Sequence, residues 1–532
     1  MKKIFSLLLI LAVIFISASA CAKQDGPGSA ELRLVSLCDI ESMDTAKTSD
    51  DYMGILNVFD RLFEVEVYED GTSGIVPSLC ESYSVSEDGR TFSFKLREGV
   101  VFSNGSPFSA YDVEYSFTRL LIEDDCNTDV ASKILGADAV INGETTVLSG
   151  IEILNDLTLT VTLEEPNAAF ISELATAGMS IVDKETTEKA EGFGTVCADT
   201  VGTGPYVISE WVTGDHYTLT YNEKYWGKKP SVLKCTVKTV PEESTQDLMF
   251  RKGDIDLFCL NCLDISLIKN TYFSDYPDSI VSTPQLGVHY FAMNENNRYL
   301  SDVNVRRAVQ KAINVDDIIA YALGNTARHE HGLIPYGVWG HSDEIRSSVY
   351  DPDGARALLK ESGYSDGEVG FEFAYMASDE DTYRVIAGMI KQDLADVGID
   401  LTIRDYEESS WYDKRASGEM ESYMSLWVMD SNTPGNIMVS LFGNEKTSHV
   451  RSMNYANTEI MESIVRAASI TDDDERRAEY QRLENKIIVE DAALVPLYES
   501  QTMYVMGDRV ASMKLYWSGY ENSFYVKDVI LK

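Results

Sequence analysis

The chain has 532 residues, of which 44% are apolar and 25% are charged. At roughly 150 residues per domain, this length predicts three to four domains' worth of globular material. The 86 acidic side chains outnumber the 45 basic ones, and the formal net charge is -41. Such a surface repels nucleic acid and anionic lipid headgroups, so we expect no nucleic acid partner.

The first 20 residues have the pattern of a secretory signal. Two lysines precede an apolar run over 4–16, and small residues over 17–20 lead to Cys21. A charged start, a short apolar core and small residues before a cut site are typical of a signal peptide. Cys21, directly after Ala-Ser-Ala, resembles the lipidated cysteine of a bacterial lipobox, which would become the mature N-terminus. An ordinary secretory peptide that is cut near a cysteine is the alternative.

Residues 21–31 are predicted to be the lipidated N-terminus and a flexible tether, since 22–30 contain Gly and Pro and no apolar periodicity. Two or three acyl chains would hold the protein at a membrane. No later segment of the sequence is long and apolar enough to cross a bilayer, which takes about 20 residues. We therefore expect an extracytoplasmic protein, anchored by its lipid to the outer face of the bacterial cytoplasmic membrane or held in the periplasm.

Strand and helix signals alternate through the first half of the chain. Residues 91–96 have period two and follow Asp88-Gly89, a favoured hairpin pair. Ser109 and Asp112 resemble a capping box, with aspartate in the reciprocal position, and predict the start of a helix. Residues 157–163 and 217–221 alternate again, and each predicts a half-buried strand.

The second half holds longer predicted helices. Asp302 and Asp351-Pro352 are helix start signals, because proline at the first helical position loses no needed hydrogen bond. Gly363 and Gly398 are stop signals, and the strand pattern of 399–403 follows the second at once. Helix, glycine stop and strand in this order predict an α/β protein.

Metal and redox chemistry have weak support in the sequence. Seven cysteines follow Cys21, and an odd count leaves at least one of them outside any intrachain disulfide. Cys259 and Cys262 form a CxxC pair without the further ligands of a zinc site, so a buried thiol or a local disulfide is the preferred interpretation. His329 and His331 lack a carboxylate-rich ligand set and are interpreted as solvated loop histidines. We expect no cofactor and no metal.

Six blocks, in order along nearly the whole mature chain and beginning with the signature in residues 88–119, carry a family resemblance. They comprise Asp88-Gly89-Arg90 with Phe102-Ser103-Asn104-Gly105 and Ala110-Tyr111-Asp112-Val113; Gly202-Thr203-Gly204-Pro205-Tyr206; Tyr225-Trp226-Gly227; Val305-Arg306-Arg307-Ala308; Tyr350-Asp351-Pro352; and Val495-Pro496-Leu497-Tyr498. In this, the sequence resembles the bacterial extracellular solute-binding proteins of family 5, which include dipeptide, oligopeptide and nickel receptors of ABC importers. Most of these blocks are interpreted as scaffold. The glycines of Gly-Thr-Gly-Pro-Tyr allow a tight backbone approach. Arg306 and Arg307 are interpreted as charge partners on a solvated helix face.

The resemblance implies an α/β fold of two lobes that close on a ligand, the periplasmic-binding-protein-like class II fold, with an additional third domain. The implied segments are 1–20 for the signal peptide, 32–74, 196–285 and 500–532 for lobe I, 75–195 for the extra domain, and 286–499 for lobe II. Crossover strands acting as hinge are expected near 288–294 and 494–501. The implied function is a substrate-binding lipoprotein that captures short peptides and delivers them to the permease and ATPase subunits of an importer, as a monomer.

The resemblance also implies a ligand site. Peptide-binding members carry a Trp-x-x-Asp-x-x-x-Pro stretch whose aspartate meets the ligand's α-ammonium, and here it corresponds to Trp427, Val428, Met429 and Asp430. An ammonium facing a carboxylate forms a charge-assisted hydrogen bond, and the strand around Val428 could pair with an extended peptide backbone. Asp430 as a simple turn residue before a proline is the alternative.

Other ligands and other roles stay open. Glu408 stands where many members carry a cleft tryptophan, and it predicts a preference for basic side chains if it faces the cleft. The alternative is a shifted helix with Trp411 in the core. No residue is assigned to the ligand's carboxylate. The alternatives are a nickel complex, a metallophore or a sugar as the ligand, or a sensor role. The sequence has no nucleophile or metalloprotease motif in a plausible context, so we expect no enzyme.

Overall fold

The computed structural model of the protein describes residues 30–48, 52–68, 73–377, 380–429, 431–516 and 524–532, with only the backbone of 380 and 381. The predicted signal sequence, Cys21, most of the predicted tether and Asp430 lie outside these ranges. Within them, no helix combines the length and the apolar character that crossing a bilayer requires.

The strands, in chain order, are β1 (Glu31–Ser36), β2 (Phe63–Val67), β3 (Ser73–Pro77), β4 (Cys80–Val85), β5 (Thr91–Leu96), β6 (Ile151–Asn155), β7 (Thr158–Thr162), β8 (Tyr206–Val212), β9 (His216–Tyr221), β10 (Lys234–Thr239), β11 (Leu257–Cys259), β12 (Ile280–Pro284), β13 (Gly287–Met293), β14 (Ala327–His329), β15 (Val369–Met376), β16 (Ile399–Tyr406), β17 (Ser422–Val428), β18 (Leu494–Met506), β19 (Val510–Ser512) and β20 (Ile530–Leu531).

The α-helices, in chain order, are α1 (Met53–Val58), α2 (Ala110–Glu123), α3 (Ala137–Ile141), α4 (Phe170–Glu173), α5 (Lys184–Lys189), α6 (Glu243–Lys252), α7 (Ile265–Leu267), α8 (Phe273–Asp275), α9 (Val303–Ala312), α10 (Val315–Asp317), α11 (Pro352–Glu361), α12 (Glu380–Asp396), α13 (Glu408–Ala416), α14 (Pro434–Phe442), α15 (Glu445–Val450), α16 (Thr458–Ala467) and α17 (Asp473–Glu484). Three further segments are π-helical: Ile268–Tyr272, Ile318–Ala322 and Asn485–Glu490.

One four-stranded sheet, in the order β1-β10-β9-β8, lies within the residues predicted for the first lobe. β1 runs parallel to β10, and the other neighbours are antiparallel. The chain enters β8 through the predicted tight approach: the backbone N–H of Gly204 donates to the Val58 carbonyl at 2.9 Å. A Cβ at Gly202 would lie 2.1 Å from the same oxygen, so glycine is required there.

A second four-stranded sheet, in the order β4-β5-β7-β6, lies within the residues predicted for the extra domain. The period-two residues of β5 place Phe92 and Phe94 in its buried core. Helix α2 begins at the predicted capping box, where the backbone N–H of Ser109 donates to Asp112 Oδ2 at 2.8 Å. The domain boundaries themselves remain a prediction.

The largest sheet combines strands from residues predicted for both lobes, in the order β11-β18-β13-β17-β15-β16, with β12 and β14 also paired to β18. β13 and β18 are the two predicted crossover segments. They pair with each other through His289 and Tyr498, while the last residues of β18 pair with β11 and β12 of the first lobe. The 13 residues of β18 therefore run without interruption from the strands of the predicted second lobe to those of the predicted first lobe.

The interpretation of Arg306 as a solvated charge partner is wrong. Its side chain is 5% exposed, and its Nε and Nη2 donate to the Asp491 carbonyl at 3.0 and 2.6 Å. Its Nη2 also lies 3.2 Å from the Glu295 carboxylate. Asp491 directly follows the π-helical segment 485–490, where a buried carbonyl needs a donor, and Arg306 on α9 supplies it.

Candidate ligand-binding site

One edge of β17 lies open at the junction of the lobes. β17 pairs with β13 along its full length, from Gly287–Val428 to Met293–Ser422. On its other side, within the described ranges, it pairs with β15 at a single position, Ala374–Tyr423. Residues 424–427 of this strand line a cavity. A strand edge of this kind can take an extended peptide as an additional strand.

This cavity, which we call the basic cavity, has a volume of about 1010 Å³. The first lobe contributes Asn261, Gln285 and Gln501, and the second contributes side chains of α12, α13 and β17. Among the described residues that line it, the charged side chains are those of Arg415 and Arg451. The charge that the described residues bring to this cavity is therefore positive, although the whole chain carries a formal charge of -41.

A second cavity of about 1060 Å³, which we call the acidic cavity, begins where β17 ends. The second lobe lines it with Met429 and Ser431, and the extra domain lines it with carboxylates and one ammonium. These charged groups are Asp129, Lys133, Glu164, Glu165 and Glu173. Lys133 Nζ lies 2.7 Å from Glu173 and offsets that carboxylate, which leaves the cavity with excess negative charge.

Trp427, Val428 and Met429 occupy the boundary between the two cavities. Trp427 lines the basic cavity and donates its indole N–H to Asn436 Oδ1 at 3.0 Å. Met429, 1% exposed, lines the acidic cavity, and its backbone N–H donates to the Leu286 carbonyl at 2.6 Å. The structure thus brings these three predicted residues to the open end of β17, between regions of opposite charge.

Glu408, the fourth predicted ligand residue that the structure describes, lies apart from the other three. Glu408 is exposed on the first turn of α13 and lines neither cavity. Trp411, three residues later, is 2% exposed, belongs to the core of the second lobe and also borders the basic cavity. A cleft role for Glu408 stays a prediction, as does that of Asp430.

His289 forms part of the basic cavity's wall and was not singled out from the sequence. Its Nδ1 lies 3.1 Å from the Tyr383 hydroxyl and its Nε2 lies 3.0 Å from Ser500 Oγ. The ring stacks on Tyr498 with centroids 4.2 Å apart. Burial lowers the pKa of His289 to about 3, so the ring is neutral at physiological pH and joins the two crossover strands through neutral hydrogen bonds.

The two arginines were also missed. They are 36 residues apart in sequence, and only the tertiary fold brings them to one cavity. A local signal did exist for Arg415, which follows Trp411 by four residues, the spacing that places two side chains on one helix face. Arg451 has no comparable signal, because it follows α15 in an irregular segment.

The candidate metal and redox residues have other contacts. Cys262 Sγ donates to the Cys259 carbonyl at 3.2 Å. The interpretation of His329 as a solvated loop residue is wrong: it ends β14, its side chain is 17% exposed, and its ring nitrogens contact Asp316 and Ser348 at 2.8 and 3.1 Å. In the described ranges, no three His, Cys, Asp or Glu side chains converge as a metal site requires.

Comparison with known proteins gives a consistent result. The sequence profile of the bacterial extracellular solute-binding proteins, family 5 Middle, matches residues 74–449. The dipeptide-binding protein of Escherichia coli K12 is 28% identical over 467 residues, which cover 84% of each chain. Heme-binding protein A of Haemophilus influenzae is 27% identical over 483 residues, covering 88% of this chain and 86% of that protein.

Among solved structures, the unliganded open form of MppA, a periplasmic murein tripeptide binding protein, superposes with a TM-score of 0.82. The two share 23% sequence identity, and the match covers 94% of this chain and 97% of that one. This likeness shows the fold. The predicted fold class, two lobes with an additional domain and a cleft between them, is confirmed.

Proposed function

We propose, from the premise that this chain belongs to the bacterial extracellular solute-binding proteins of family 5, that it captures short peptides for an ABC importer. Cys21 is its lipidated N-terminus, and the closed, ligand-bound form delivers the peptide to the permease and ATPase subunits. The receptor acts as a monomer and performs no chemistry on its ligand. Relatives named for binding dipeptides and oligopeptides support this assignment.

The observation that carries the proposal is the open edge of β17 between two cavities of opposite charge. An extended peptide offers backbone donors and acceptors to a strand edge whatever its side chains are. Its free ammonium suits the acidic end, where Asp430 follows Met429 in sequence, and its carboxylate suits the basic end. A sugar offers no such pair of opposite charges, which favours the peptide.

Closure of the lobes follows from the same geometry. A ligand shifts the open–closed equilibrium only if it binds the closed form more tightly. The basic cavity is lined by Gln285 and Gln501 of the first lobe and by Trp427 of the second. A peptide bound in it therefore contacts both lobes at once. The crossover strands β13 and β18 lie directly beneath and are the segments about which such a hinge would turn.

Calorimetric titration of the soluble protein with a short-peptide library, each peptide free or N-acetylated, tests the proposal. We expect micromolar binding, about 8 kcal/mol, that acetylation abolishes. Asp430→Asn should weaken the free-amine peptides, whereas Asp413→Asn, a change at an exposed residue of α13, should not. Failure of every free-amine peptide to bind would move the ligand to another class, such as a metal chelate or a sugar.

A further inference from the structure

Cys259 and Cys262 place two half-buried thiols beside the basic cavity. Cys259 is the last residue of β11, and Cys262 follows it by three positions. Asn261, which lies between them in sequence, lines the cavity. Capture and delivery of a peptide require no sulfur chemistry, so the proposed function leaves these two nucleophilic side chains unexplained.

The chain folds back on itself within this CxxC motif. Cys262 Sγ donates to the Cys259 carbonyl at 3.2 Å, and the backbone N–H of Leu263 donates to the Leu260 carbonyl at 3.0 Å. A turn of this kind brings its first and last Cα atoms within about 7 Å of each other. A disulfide joins residues whose Cα atoms are about 4.4–6.8 Å apart. The motif therefore has the compact backbone that a bond between residues three positions apart requires.

Asn261 connects the thiols to the crossover strand β18. Its Oδ1 accepts from the Cys259 thiol at 3.7 Å and from the backbone N–H of Met503 at 2.7 Å. Its Nδ2 donates to the Gln501 carbonyl at 2.6 Å. The backbone N–H of Leu260 adds a bond to the Met503 carbonyl at 2.8 Å. A change in the shape of the motif is therefore passed directly to β18.

The motif contacts β18 at the point where this strand changes its partners. Ser500 pairs with Ala327 of β14, in the predicted second lobe, whereas Gln501 pairs with Pro284 of β12, in the predicted first lobe. Gln501 and Met503 also line the basic cavity. The thiols are thus bonded, through Asn261, both to the proposed hinge and to the wall of the ligand cavity.

We propose that Cys259 and Cys262 form a redox modification site, at which a small-molecule disulfide converts the two thiols to an intrachain disulfide and thereby weakens ligand binding. The thiolate of one cysteine attacks a sulfur of the small disulfide and releases one small thiol, and the thiolate of the other cysteine then displaces the second. The two electrons and the two hydrogens of the protein thiols end on the two released small thiols. This inference rests on the proposed function, whose extracytoplasmic location is one in which disulfides persist.

The expected direction follows from the position of Asn261. The new bond removes the S–H of Cys259 as a donor to Asn261 and closes a small ring that contains this asparagine. The ring changes the backbone conformation of Asn261, which weakens its hydrogen bonds to Gln501 and Met503 at the cavity wall. We expect the affinity for a peptide to fall by about fivefold or more, the size of effect that loss of one neutral hydrogen bond produces.

The chemical step is tested first, without any ligand. The mature protein is treated with hydroxyethyl disulfide, and the peptide that contains both cysteines should lose about 2 Da in mass spectrometry and regain it with dithiothreitol. Hydrogen exchange at the Met503 amide should become faster on oxidation. The Thr162 amide, which donates to the Gly150 carbonyl in the predicted extra domain, should be unaffected. Absence of the disulfide, or unchanged exchange at Met503, would overturn the inference.

Calorimetry with the tripeptide Ala-Ala-Ala then tests the effect on binding. The affinity of wild type should fall by about fivefold or more on oxidation and recover on reduction. The matched control is Cys259→Ser/Cys262→Ser, which retains the accessible thiols Cys38, Cys126 and Cys197. Its affinity should be the same before and after treatment with the oxidant. Equal loss of affinity in wild type and in this variant would assign the effect to another cysteine and overturn the inference.

Failure of this inference is distinguishable from failure of the proposed function. If free-amine peptides bind, but the disulfide does not form or leaves their affinity unchanged, the receptor function stands and the redox site is wrong. If Ala-Ala-Ala does not bind, the tightest free-amine peptide of the library takes its place in the same comparison. If no free-amine peptide binds in either redox state, both proposals are wrong as stated.

Discussion

Replacing Glu484 with glutamine should remove a pH dependence from the folding stability of the second lobe. Glu484 ends α17 and is 0% exposed. Its Oε1 accepts from the backbone N–H groups of Leu333 and Ile334 at 2.6 and 2.8 Å, whereas its Oε2 has no partner among the described residues. Burial, with a smaller contribution from the charge of Glu330, raises the pKa of Glu484 to about 8 from an ordinary 4.5.

The sign and size of the effect follow from that shift. Below about pH 4.5 both the folded and the unfolded chain hold the proton, so this group's stabilising contribution is fully present. Between there and the folded pKa, the unfolded chain binds fewer protons than the folded one, and each pH unit removes about 1.4 kcal/mol of stability. From about pH 5.5 to pH 8 the loss attributable to Glu484 is therefore about 3 kcal/mol.

Urea unfolding followed by tryptophan fluorescence measures this difference at both pH values. The free energy of unfolding of wild type should fall by about 3 kcal/mol relative to Glu484→Gln over this range. Burial also raises the pKa of Glu499 to about 9, and Glu499 is present in both proteins. The pH dependence of the variant must therefore be subtracted from that of wild type. Glu475→Gln, at an exposed residue of the same helix, is the matched control. Identical pH dependence in wild type and Glu484→Gln would refute the reasoning.

Three further predictions concern the scaffold and the hinge. Gly202→Ala should lower the melting temperature, because its Cβ would lie 2.1 Å from the Val58 carbonyl oxygen. Gly388→Ala, in a helix where the added Cβ meets no atom within 4 Å, should stabilise the protein by about 0.5–1 kcal/mol. Equal shifts of the two variants in a thermal melt would contradict this reasoning. Arg306→Gln should destabilise by about 3 kcal/mol in urea unfolding, since it leaves buried acceptors without their donor; a change near zero would return Arg306 to a surface role. The ring signals of His289 should show no titration in NMR spectra between about pH 5 and 8, because burial holds its pKa at about 3; a midpoint within that range would show that the ring is not buried.

The sequence predicted those parts of the fold that depend on neighbouring residues. The capping box at Ser109 and the Asp351-Pro352 helix start are local features, and both appear where they were expected. Gly398 takes a φ of 88°, a value that glycine adopts readily, immediately before β16. Each of these signals depends on a backbone conformation or hydrogen bond within a few residues, so the chain itself carries the information.

What depends on distant segments was predicted poorly. Arg306 sits on an amphipathic helix, and only the packing of that helix against residues 485–491 turns it into a buried donor. The pairing of Arg415 with Arg451 is equally non-local, as is the contrast between the basic and acidic cavities. Sequence reasoning found the end of β17 through a motif of the family, but the charges around it come from helices and loops remote in sequence.

Within the proposed function, Arg415 and Arg451, which form no ion pair with another described residue, also bear on closure. In an open cleft, water solvates Arg415 and Arg451, and closing the lobes without a ligand would remove that water and leave two like charges in a confined cavity. A bound carboxylate offsets both, so the anion stabilises the closed form more than the open one, which is the condition for a ligand to drive closure. Neutralising the arginines should therefore have two separable effects: weaker binding of carboxylate ligands, and easier closure of the empty receptor. Small-angle scattering of the ligand-free protein would show the second effect as a smaller radius of gyration in Arg415→Gln/Arg451→Gln than in wild type. An unchanged radius of gyration would mean that the arginines recognise the ligand without restraining the lobes.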